Sequence, residues 1–148
     1  MRKRTRTSFA AWDTVIVGGE KVDRTAYEKT FDAMEKEGVD CLVVVETPEH
    51  VAYRELIADF AARFRIPVIY PYREFVEVGG LMAYGVDVAD LMRRVANMTG
   101  QVLGGTKISD LPFYRQTKYE LVLNRKAATS LGLEFPATLL AAGDAVVE

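Results

Sequence analysis

Cys41-Leu42-Val43-Val44-Val45 is the segment that most narrows what this chain can fold into. Five apolar residues in succession lack the alternation of a strand with one wet face. The run is therefore predicted to be a parallel strand covered on both faces, with Cys41 a small core hydrophobe at its start. Its flanks agree. Before it, Asp23 offers a helix N-cap, Tyr27, Phe31 and Met34 recur at helical spacing, and Gly38 supplies a left-handed residue to end the helix. After it, Thr47-Pro48-Glu49 places a hydroxyl, a first-turn proline and an acid where a helix starts, with Tyr53, Leu56, Ile57, Phe60 and Phe64 as the stripe behind.

The same alternation recurs along the chain. Thr14-Val15-Ile16-Val17, closed by Gly18-Gly19, reads as a buried strand, and Pro67-Val68-Ile69-Tyr70 as another that opens on a proline. Residues 71–80 read as irregular or weakly helical, and Leu81 to Gly85 as a short strand. Asp87 caps a helix that carries Val88, Leu91, Met92, Val95 and Val102 on one side and stops at Gly104-Gly105. Asp110-Leu111-Pro112 marks a turn. Tyr119, Leu121 and Leu123 alternate with Lys118, Glu120 and Asn124, as in an edge or half-exposed strand. Asn124 caps a short helix through Leu131, Gly132 ends it, and Pro136 opens a last helix at Ala137 to Ala142. Strands alternating with helices predict an α/β fold: a mostly parallel sheet flanked by helices, with right-handed crossovers.

Length and composition bound the function. A chain of 148 residues suits one domain, and 49% hydrophobic with 27% charged residues is a globular balance. A net charge of −2 supplies no basic field for a phosphate backbone, which argues against nucleic acid as a partner. One cysteine and one histidine exclude an intramolecular disulfide and a Cys/His zinc site. Arg2, Lys3, Arg4 and Arg6 resemble the start of a secretory signal, but the apolar pieces that follow are too short. As written the chain is expected to carry no export address, and residues 1–12 to form a basic, solvated tail.

Catalytic and cofactor motifs fail on spacing. Gly18-Gly19-Glu20-Lys21 and Gly104-Gly105-Thr106-Lys107 match neither a phosphate-binding loop nor a dinucleotide fingerprint, so no cofactor is expected. His50 falls in the first turn of a helix with no nucleophile elbow to serve, and reads as a surface or pocket-rim residue. No acid/base or nucleophile set converges, and the chain is not expected to be an enzyme. Tyr70-Pro71-Tyr72-Arg73-Glu74-Phe75 is more informative. It sits just past the carboxyl end of a strand, where open α/β sheets bind ligands, and Thr47-Pro48-Glu49 follows the neighbouring strand. Spacing leaves open whether Tyr70 and Phe75 line a ligand site or belong to the core.

Arg65 to Gly85, then Val86-Asp87-Val88-Ala89-Asp90-Leu91, and the tail from Asp110-Leu111-Pro112 to Glu148 together resemble the ABC transporter substrate-binding protein family with the type I periplasmic binding fold. In that tail, Thr117 to Asn124, Leu131-Gly132-Leu133 and Pro136 to Leu140 follow the family's ending. The resemblance covers residues 40–148 clearly and 13–39 more loosely, and extends only to the C-terminal half. It implies one α/β lobe over residues 13–148, with 86–112 a crossover segment that packs on another lobe or chain. It implies a receptor for a small solute such as an amino acid, working with an ABC permease, and a periplasmic location. The missing export address leaves open a cytoplasmic half-receptor that acts as a ligand sensor or partner-binding module. By position, the ligand-binding residues would be Thr47, Glu49, Tyr72, Arg73, Glu74 and Tyr84. Arg73 suits a carboxylate, Glu74 or Glu49 an ammonium, and Tyr72 or Tyr84 a stacking face. With no covering lobe, Leu91, Met92 and Val95 would be exposed and favour a homo-oligomer.

Overall fold

Capping chemistry sets most element boundaries in the computed structural model, which describes residues 23–148. Helix α1 (Arg24–Glu37) starts at Asp23, whose carboxylate accepts from the Ala26 N–H, and ends at Gly38 with φ +70°. Strand β1 is Leu42–Val43. Helix α2 (Pro48–Ala52) is capped by the Thr47 hydroxyl, which accepts from the His50 N–H. The helix expected to run on from Thr47 is interrupted at Tyr53 (φ −101°, ψ 19°) and resumes as α3 (Arg54–Arg63). Then follow β2 (Val68–Tyr70), α4 (Arg73–Glu77), β3 (Met82–Val86) and α5 (Val88–Leu103). A single 3-10 turn spans Ile108–Asp110, at the predicted bend. The chain closes with β4 (Tyr119–Asn124), α6 (Arg125–Leu131), α7 (Ala137–Ala142) and β5 (Ala145–Val147).

Among the described residues, five strands form one sheet in sequence order. β1, β2 and β3 are parallel, β4 runs antiparallel to β3, and β5 is parallel to β4. The fold is thus α/β with a mostly parallel sheet flanked by helices, as the alternation predicts.

The core joins α1 and α3 to the sheet. Phe31 lies between Phe60 and Phe64, with ring centroids 5.5 and 5.8 Å away. Phe75 is fully buried and stacks on Tyr70 at 4.9 Å. Tyr70 and Phe75, open alternatives at the sequence level, are both core residues.

Several expectations are corrected. Among the described residues β1 is covered on one face only: Val44 is buried, whereas Val43 and Val45 are 65% and 62% exposed. Only alternate residues meet the core, as in a strand with one covered face. Cys41 precedes the strand and is exposed rather than a core hydrophobe. β4 is not an edge strand. Its ladder to β3 pairs Met82 with Leu123 through to Val86 with Tyr119, and β5 takes its other side, so Val122 and Leu123 are fully buried. Of the two alternatives for residues 71–80, the weakly helical one holds, as the five-residue helix α4. The predicted strand Thr14–Val17 and the basic tail 1–12 lie outside the described residues.

Candidate functional site

Parallel pairing brings the carboxyl ends of β1 and β2 side by side. The Thr47 and Tyr72 turns therefore open at one edge of the sheet, the position open α/β sheets use for ligands. The start of β4 reaches the same edge because that strand runs antiparallel to β3.

At the β1 end, Thr47 is half-buried and its hydroxyl is engaged in capping α2. Glu49 is exposed in the first turn of α2, and its charge acts on Tyr27. Burial first, then the Tyr53 and Glu49 charges, pushes the Tyr27 phenol up to about 12. The His50 ring Nδ1 lies 2.9 Å from the Val45 carbonyl, to which it donates. His50 borders a cavity of about 120 Å³ beside β1, between Tyr27, Phe31 and Met34 of α1 and Leu42 to Val45.

At the β2 end, Tyr72 is half-buried against the core and forms the N-cap of α4 without a side-chain cap bond. Burial, and then the Glu46 carboxylate, push its phenol up to about 12. Arg73 is exposed but doubly paired. Its Nε lies 3.1 Å from Glu77 Oε1 and its Nη1 lies 3.1 Å from Glu120 Oε2. The hydrogen bond to Glu77 and the charge of Glu120 raise the guanidinium above its usual value. Glu74 is exposed beside it.

Tyr84 is separated from this group. Glu120 pairs with Gly85, and successive strand residues alternate faces, so Tyr84 stands on the opposite face of the sheet. There it stacks on Tyr119 at 5.8 Å, its diagonal neighbour across the ladder. The predicted set thus divides: Tyr72, Arg73 and Glu74 share one turn, Thr47 borders it, Glu49 is exposed in the first turn of α2, and Tyr84 belongs to another face.

Glu46 and Glu120 belong with Tyr72 and Arg73 but escape the sequence reading. Glu46 is the last residue before the Thr47 cap, a position the strand-end rule covers. Glu120 looked like one polar beat in an alternating strand, and only strand order brings it to Arg73. Burial raises the Glu120 carboxyl most, and Asp87, Glu74 and Asp144 add to this, while Arg73 acts in the opposite direction.

One further pair closes this edge. Lys118 Nζ lies 2.8 Å from Asp87 Oδ2, joining the chain entering α5 to the chain entering β4. Lys118 is the first cause that lowers the Asp87 carboxyl, and Asp87 the first that raises the Lys118 ammonium. The sign follows from linkage. The Asp87 contribution is present above its ordinary value of 3.8 and lost as pH falls through the lowered folded value. The Lys118 contribution is present below 10.5 and lost as pH rises through the raised folded value. The Tm difference between the wild-type chain and Lys118→Met should therefore be widest between those limits and shrink on both sides. A difference that is flat across the whole range would show that the pair contributes nothing.

Among the described residues, no group of three or more His, Cys, Asp or Glu could hold a metal ion. Among them, no helix is long and apolar enough to cross a membrane.

A family model described as ABC transporter substrate binding protein matches residues 24–147. The chain belongs to that family. Solved structures agree with the assignment. A Streptococcus pneumoniae ABC domain in complex with L-Trp is 26% identical at a TM-score of 0.74, over 84% of this chain and 43% of that one. A conserved domain protein from Vibrio cholerae gives 20% identity and a TM-score of 0.75, over 86% and 43%. CD0873, a substrate-binding protein with adhesive properties from Clostridium difficile, gives 20% identity and a TM-score of 0.62, over 86% and 42%. The latter two show the fold alone. No curated protein matches. This ABC substrate-binding chain spans less than half the length of each of these solved structures.

Proposed function

We propose that the chain forms one wall of a solute-binding cleft in an ABC-type uptake system, taking a small solute such as an amino acid and presenting it to a membrane permease. The observation that carries this reading is the Tyr72-Arg73-Glu74 turn at the carboxyl edge of parallel strands, in a chain of the substrate-binding family. A guanidinium at the start of α4 can meet a carboxylate, Glu74 or Glu49 an ammonium, and Tyr72 a planar side chain. L-Trp in the Streptococcus pneumoniae structure supports an amino acid as the solute class. A periplasmic location belongs to the same reading.

Neither the cavity beside β1 nor a second of about 50 Å³, between α3 and α6 beside Tyr70 and Ser130, is lined by Tyr72 or Arg73. That fits a wall rather than a closed pocket, since tight small-molecule sites bury most of the ligand. NMR titration with the L-amino acids, L-Trp included, should shift the Tyr72 and Arg73 signals with roughly millimolar affinity. No shift at either residue with any amino acid would remove the solute reading, and submicromolar binding would remove the single-wall reading.

The crossover 86–112 is part of the proposal. No residue of α5 is buried, and Met92 and Val95 are 56% and 49% exposed, whereas Leu91 is half-buried. Another lobe or a second copy of the chain is the proposed cover, giving a homo-oligomer when the chain is alone. Sedimentation showing a compact monomer at micromolar concentration would contradict the oligomer.

A further inference from the structure

A guanidinium takes a carboxylate along one of two edges: Nε with one terminal nitrogen, or the two terminal nitrogens together. On Arg73 both edges already carry an acid, Glu77 at Nε and Glu120 at Nη1. The two acids are not equivalent. Glu77 lies one turn along α4 with a side chain 55% exposed, free to swing into water. Glu120 comes from β4, 47 residues away, and its side chain is only 19% exposed.

Acids from three elements act on Glu120 besides its Arg73 partner. α4 contributes Glu74 and Glu77, the start of α5 Asp87, and the approach to β5 Asp144, while Lys118 is paired to Asp87. Arg73 is the cation that meets Glu120 directly.

We infer that Glu120 is a built-in competitor for the solute's carboxylate, holding the end edge of Arg73 until a bidentate anion displaces it, so that Glu120 sets the strength of anion capture. This rests on the reading of Arg73 as the carboxylate-binding residue. Simple anions must compete with a tethered acid, whereas a solute with additional contacts to the wall can displace it. Burial first, and then the neighbouring acids, raise the Glu120 carboxyl, so it takes up its proton at a higher pH than its ordinary value would give. Protonation weakens its hold on Arg73, and anion capture strengthens.

The test follows the Arg73 side-chain Nε–H signal by NMR while sodium acetate is titrated into the full chain, wild type, Glu120→Gln and Glu77→Gln. Glu120→Gln should respond at several-fold lower acetate than wild type, with Glu77→Gln close to wild type. Lowering the pH toward the raised Glu120 range should strengthen acetate binding to the wild-type chain more than to Glu120→Gln. Equal acetate response in wild type and Glu120→Gln, or a gain confined to Glu77→Gln, would overturn the competitor role. No Arg73 response in any of the three overturns the inference together with the Arg73 assignment. Amino-acid shifts at Tyr72 would then still leave the solute-binding reading standing.

Discussion

Phe75→Ala is expected to destabilise the chain by about 3–5 kcal/mol, the usual cost of emptying a fully buried aromatic site. For a domain of this size that corresponds to a Tm roughly 10–15 °C lower. The reason lies in how little α4 has besides this ring. The helix has five residues, and only Phe75 and Val76 are buried. Phe75 stacks on Tyr70 at 16° between planes, and its carbonyl accepts from the Gly80 N–H at 2.8 Å. Removing the ring leaves a cavity under the helix that begins at Arg73, so the Arg73–Glu120 contact should loosen as well. Thermal unfolding followed by circular dichroism measures the first effect, and the Arg73 side-chain signal the second. A Tm within about 3 °C of wild type would mean that the site collapses without loss, contrary to its burial.

Gly85→Ala is expected to be damaging for a different reason. A Cβ at this position would press on the Pro71 carbonyl oxygen and come within 2.9 Å of its carbonyl carbon. The obstacle is backbone, which cannot rotate away as a side chain does. Overpacking of this kind costs about 1–3 kcal/mol or more. It should also push the turn before α4 away from β3, weakening any ligand response at Tyr72. Gly100→Ala is the internal control. It lies in the interior of α5 with nothing within 4 Å of an added Cβ, so it should stabilise by about 0.5–1 kcal/mol. If Gly85→Ala melts with wild type, β3 and Pro71 are not in the close approach described.

Local chemistry was legible where one side chain decides one boundary. Asp23, Thr47, Asp87 and Asn124 all cap helices with the bonds their residue types imply. Gly38 and Gly132 end helices in the left-handed region that favours glycine. Pairing across the sheet was less legible, because period and propensity do not encode strand order. β5 is three residues long and went unread, and without it β4 looked like an edge. The same lack hid Glu120: its partner Arg73 is distant in sequence, and only the antiparallel ladder joins them. The split of Tyr84 from Arg73 has the same origin. A position in the chain places Tyr84 near the site, but the register decides which face of the sheet it occupies.

The reversal of β4 against β3 has a mechanical consequence. The chain leaves the sheet at Val86 and returns at Tyr119, two residues paired with one another, with Lys118 and Asp87 bonded just outside them. Everything between is therefore carried on two legs planted side by side. Glu120 is the next residue up the returning leg, and it grips Arg73. The entry to α5 and the Arg73 turn are thus joined through two consecutive residues of one strand, Tyr119 paired with Val86 and Glu120 bonded to Arg73.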